Sequence, residues 1–139
     1  MINVNSLNSA PECDAVLVLV QKQHSDLTYR HSTLTRSHGH HFKTNADVSA
    51  QLTAINLEVE AIQALLPTLP EGKRKKTLTE DLKRLELQQF LLSNRLIDYN
   101  VIELIEKEVE LELVTTNLAK IEEVRTAIEA RRAELEAAA

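Results

Sequence analysis

The chain has 139 residues, enough for about one domain, and its composition is 43% hydrophobic but only 3% aromatic. A core of this kind is built from Leu, Ile, Val and Ala, which suits helices packed at close range. Two glycines and three prolines are too few for the many turns of a β-sandwich or an α/β fold. They also exclude the clustered glycines that a P-loop or dinucleotide-binding turn needs to bring backbone N–H groups to phosphate.

Residues 1–8 are polar and without period and read as a flexible arm. Ser9-Ala10-Pro11-Glu12 has the form of a helix start, with a capping serine, a proline in the first turn and a glutamate three residues on. Cys13, Leu17, Val20, His24, Leu27, His31, Leu34 and His38 then follow a 4-3 spacing, which predicts a first helix over about 11–37. A turn is expected at Ser37–Lys43, where Gly39 can take a left-handed backbone. A second helix over about 45–66 follows, with the seam Val48, Leu52, Ile55, Val59, Ile62, Leu66, and Pro67 stops it.

From Thr77 to the end there is no glycine and no proline. The seam Leu78, Leu82, Leu85, Gln89, Leu92, Leu96, Tyr99 predicts one very long C-terminal helix over about 75–137, kinked near 98–100. At 1.5 Å per residue such a helix is roughly 90 Å long. The rival reading is a turn at 98–100, with Asn100 capping a further helix, which gives a four-helix bundle. The expected fold class is thus all-α, an antiparallel helical bundle or coiled coil forming a single helical domain over 1–139. Acidic Glu58 and Glu60 are expected to meet basic Lys83 and Arg84 when the second helix folds back on the third.

Beyond residue 100 the apolar pattern widens. Val101, Ile102, Leu104, Ile105, Val109, Leu111, Leu113 and Val114 return on nearly every side of the helix, before a clean seam resumes at Leu118, Ile121, Ile128 and Leu135. Arg125 and Arg132 sit between as polar seam residues that set register or snorkel to its edge. Two short helices cannot cover this surface, so it is expected to be the interface of a homodimer.

Chemistry-bearing residues are sparse. All five histidines lie between residues 24 and 41, and His38, His40 and His41 at the expected turn are the candidate metal ligands. His24, His31 and His38 are two helical turns apart, too far for direct ligands to one ion, and no HExxH occurs. Cys13 is a lone thiol in a seam, which excludes an intrachain disulfide and a cysteine-based zinc cage. Lys73-Arg74-Lys75-Lys76 is a short basic turn in a chain of net charge −5, without flanking aromatics for stacking on bases. The resulting expectation is a non-enzymatic, coiled-coil-like protein that self-associates and acts as an assembly or protein-interaction module. The alternative is a metal-binding helical protein using the histidines at 38–41. Neither a cofactor, nor nucleic acid, nor a membrane is expected as a partner, and the location expected is cytoplasmic.

Overall fold

The computed structural model of the protein describes residues 2–139; Met1, the first residue of the expected arm, lies outside them. Three helices carry the fold: α1 (Ala10–Leu65), α2 (Lys73–Asp98) and α3 (Val101–Ala138), with no strand among the described residues. The all-α, antiparallel helical architecture expected from the spacing is what the chain adopts. By contacts the chain divides into two compact units. One comprises residues up to Ser37 together with Glu106–Ala139, the other His38–Ile105.

The turn expected at Ser37–Lys43 does not form, and the two expected helices over 11–37 and 45–66 are one helix of 56 residues. The reason is phase. His38, His41, Asn45 and Val48 continue the 4-3 spacing, so the seam runs without slip from Cys13 to Leu66. His41 and Val48 are buried and Asn45 half-buried, as seam positions should be. Gly39 sits inside the helix with open space where a Cβ would stand, so no close approach requires it. The obligatory glycine is Gly72, whose φ of 155° and ψ of −171° lie in a region open to little else.

The helix start follows the expected logic with one change. Ser9 Oγ accepts from the Glu12 N–H at 3.3 Å, but the Glu12 carboxylate takes the N–H of Asn8 at 2.7 Å, one residue before the cap. The arm expected over 1–8 is docked from Val4 to Leu7. Val4–Ser6 form a 3-10 turn, which places Val4 and Leu7 on one side, and both pack on the core of the first unit. Leu7 O also accepts from Arg131 Nε at 3.1 Å.

In the first unit the pairs descend in order. Asp14 meets Arg132, Gln21 meets Arg125, and Arg30 meets Glu110, so α3 runs antiparallel to α1. Its core is Cys13, Val20 and Ile128, with Val16, Leu17, Ile121, Val124 and Leu135 packed around. Arg125 and Arg132 behave as expected of charged seam residues, burying their stems and placing their charges at the edge. The Arg132 guanidinium is held above its ordinary pKa by its hydrogen bond to Asp14, then by the charges of Asp14 and Glu136. A raised folded-state pKa on a cation stabilises the fold below the ordinary arginine range and loses that contribution only as the pH rises through the raised value, so this contact is indifferent to pH over the neutral range.

In the second unit α2 runs antiparallel to α1, with Asn56 paired to Gln89 and Asn45 to Tyr99. Its buried apolar residues are Val48, Val59 and Leu104. Glu58 and Glu60 make no ion pair with Lys83 or Arg84; Arg84 instead takes Asp81 on its own helix at 2.8 Å. The Gln89–Asn56 amide pair, a seam contact, fixes the register that the charges were expected to set. The chain between these helices is short: Leu66–Thr68 form a 3-10 turn with Pro67 in its first position, and α2 begins at Lys73.

Candidate interaction surface

The break between α2 and α3 involves only Tyr99 and Asn100. It falls where the kink was expected. Each of α2 and α3 runs antiparallel to the part of α1 in its own unit, and because α1 is unbroken the four-helix alternative is not formed. The cause is again phase. The half-buried positions Leu78, Leu82, Leu85, Gln89, Leu92, Leu96 and Tyr99 would put the next seam residue at Glu103, but the buried residue is Leu104. One residue too many for the repeat is absorbed at Asn100.

Several polar groups freed by the break find partners within the second unit. Asn100 Oδ1 accepts from the Glu103 N–H at 2.9 Å, and Asn100 Nδ2 donates to Ile97 O at 2.8 Å. The Tyr99 carbonyl, which Glu103 N–H would reach in an unbroken helix, takes Asn45 Nδ2 instead. The Asn100 carbonyl accepts from Leu104 N–H and, at 2.8 Å, from His41 Nε2. Two polar seam residues of α1 thus donate to the carbonyls of Tyr99 and Asn100 at the break. Asn45→Ala should cost about 1–2 kcal/mol, because it strands a partly buried carbonyl; urea denaturation followed by circular dichroism measures it.

His38, His40 and His41 do not converge on a common point. With the helix uninterrupted, they fan around its circumference at about 100° per residue, whereas a turn would have let them close on one ion. His41 is 4% exposed and its Nε2 carries a proton to donate to Asn100 O, so that nitrogen is engaged in a hydrogen bond. Its ring lies 5.3 Å from that of Tyr99, His40 meets Tyr99 edge-on at 6.0 Å, and His38 stacks with Phe42. Among the described residues no group of three or more His, Cys, Asp or Glu side chains is placed to hold a metal. His24 Nε2 lies 2.9 Å from Glu122 Oε1 in the first unit. Cys13 is fully buried in the core, the seam role its position implied. A groove of about 370 Å³ beside α1 and α3 is lined by Gln23, Asp26, Leu27, Asn117, Lys120 and Ile121. That lining offers neither thiol nor imidazole.

The predicted interface residues separate into two sets. Leu104, Val114 and Ile128 are buried, and Leu111, Leu118, Ile121 and Leu135 are half-buried, all on the seam side of α3. These are spent within the chain, because α1 is long enough to meet both α2 and α3, which two short helices could not. Val101, Ile102, Ile105, Val109 and Leu113 remain exposed. On α3 the steps Ile102, Ile105, Val109, Leu113 trace a stripe on the side away from Leu111 and Val114.

Sequence reasoning missed the matching residues of α2. Leu87, Phe90, Leu91 and Ile97 are exposed, and together with the five α3 residues their exposures run from 51 to 71%. Leu87, Phe90, Asn94 and Ile97 follow a 3-4-3 spacing offset from the seam, a second apolar line that would have revealed them. No helix among the described residues is long and apolar enough to cross a membrane. Comparison with protein-family models, with curated proteins and with solved structures finds no match for this chain.

Proposed function

We propose that this protein is a non-enzymatic assembly module that self-associates through the outer apolar face of α2 and α3. The observation that carries the reading is the exposed line of Leu, Ile, Val and Phe opposite an already satisfied seam. A helix that pairs through one stripe and exposes a second has capacity for a further partner. The surface area supports it. The chain exposes 9858 Å², whereas a folded monomer of its mass exposes roughly 7,300 Å². The excess of roughly 2,500 Å² exceeds the ~800 Å² that each partner commonly contributes to a stable interface.

The test is the mass in solution by size-exclusion chromatography with light scattering. At micromolar concentration the expected mass is twice 15.7 kDa. The double variant Ile102→Gln, Ile105→Gln should return it to the single-chain mass with its helical content unchanged. Each buried apolar side chain contributes about 1.5–3 kcal/mol, so the association constant should fall by at least roughly 100-fold. A parent chain that runs at 15.7 kDa overturns the reading.

A further inference from the structure

We infer that Asn100 is a surplus residue to which α1 is matched, so that His41, Asn45 and Asn100 act as one device that fixes where the second unit's hairpin breaks. The device lies wholly within the second unit and does not depend on the self-association reading.

Spacing is the first argument. The seam of α1 keeps its 4-3 spacing from Cys13 to Leu66 without a slip, so α1 holds no surplus residue of its own. Across the break the facing seam steps from Tyr99 to the buried Leu104, five residues where four are due. Taking out one residue restores the step and puts Leu104 where the spacing calls for it. The segment has neither glycine nor proline, so without the surplus nothing in it interrupts a helix. The helical backbone stops at Tyr99, with φ −115° and ψ 46°, and Asn100 caps the helix that follows.

The placement of donors is the second argument. In the second unit the later seam positions of α1, Val48, Leu52, Ile55, Val59, Ile62 and Leu66, are all apolar, and Asn56 beside them is taken by Gln89. The two successive positions that meet the break, His41 and Asn45, are polar, and both donate to its carbonyls. His41 is almost fully buried, and among the described residues no buried side-chain nitrogen or oxygen lacks a partner. Moved by one heptad, the apolar seams would still meet, but Val48 and Leu52 would face the open carbonyls and the two donors would face helix already bonded along its axis. Buried polar groups without partners disfavour that arrangement, so the match adds a second register mark to the Asn56–Gln89 pair.

Reciprocal variants of the full chain test the match. His41→Leu with Asn45→Leu leaves the break without its donors, whereas deletion of Asn100 removes the surplus residue and leaves the donors without a break. Each change alone should raise the unfolding equilibrium constant about tenfold or more, read by urea denaturation with circular dichroism at 222 nm. Made together, they should recover at least about tenfold of what the deletion loses, with helical content no lower than the parent's. The same two leucines thus destabilise the parent and stabilise the deletion chain, and that reversal of sign is the expected result. Leucines acting with the same sign in both chains, or a deletion chain as stable as the parent, would overturn the inference. Should the deletion chain not fold, the combined variant decides: recovery of the parent's helical content upholds the match, and failure to recover it overturns it.

Discussion

Gly39→Pro should destabilise the protein by about 3 kcal/mol or more, whereas Gly39→Ala should stabilise it by about 0.5–1 kcal/mol. Gly39 lies in the middle of α1, with nothing within 4 Å of where a Cβ would stand. Alanine therefore meets no steric objection and removes the backbone freedom that glycine loses on folding. Proline deletes the N–H that bonds to Thr35 and presses its ring on that carbonyl. The break would fall two residues before His41 and six before Asn45, the side chains that close the carbonyls of Asn100 and Tyr99. The two free energies come from urea denaturation followed by circular dichroism at 222 nm. The opposite signs make the pair informative, since a turn at this position would accept proline and gain little from alanine.

Ile128→Ala should cost about 2–5 kcal/mol, the range for removing a large aliphatic side chain from a site that cannot collapse. Ile128 is 1% exposed and packs with Cys13 and Val20 in the core of the first unit. The pairs Asp14–Arg132 and Gln21–Arg125 tie the two helices together beside it. Ile102→Ala, by contrast, removes similar atoms from a position 71% exposed and should change single-chain stability by less than about 0.5 kcal/mol. Calorimetry of both variants checks the contrast. Equal losses would mean that Ile128 and Ile102 do not occupy the different environments described above.

Much of this was legible in the spacing of apolar residues. The seams of α1 and α2, the stop at Pro67 and the disturbance at Tyr99–Asn100 all follow from period and phase. The continuity of α1 was hidden because Gly39 and three polar histidines imitate a turn, and local composition outweighed a phase that runs unbroken through His41 and Asn45. That misreading spread: with α1 cut in two, Leu118, Ile121, Ile128 and Leu135 lacked partners and looked like an intermolecular interface. Their burial or half-burial follows once α1 spans residues 10–65. The roles of His41 and Asn45 were beyond a one-dimensional reading, since their partners are backbone carbonyls 59 and 54 residues away. The exposed line on α2 was legible in principle but weaker than the seam beside it.

The division into two units also sets an order of assembly. The second unit is one contiguous stretch, His38–Ile105, closed by the short connection around Pro67–Gly72. The first unit is made from the two chain ends, which that stretch separates. Joining the ends without it closes a loop of roughly 70 residues rather than roughly 6, an entropic handicap of about 2 kcal/mol before any contact forms. Once the second unit has closed, with Asn56–Gln89 inside it, that handicap is already met, and the first unit can form its own pairs, Arg30–Glu110 and Asp14–Arg132. In this order of assembly, damage near either terminus leaves the contiguous hairpin of the second unit untouched.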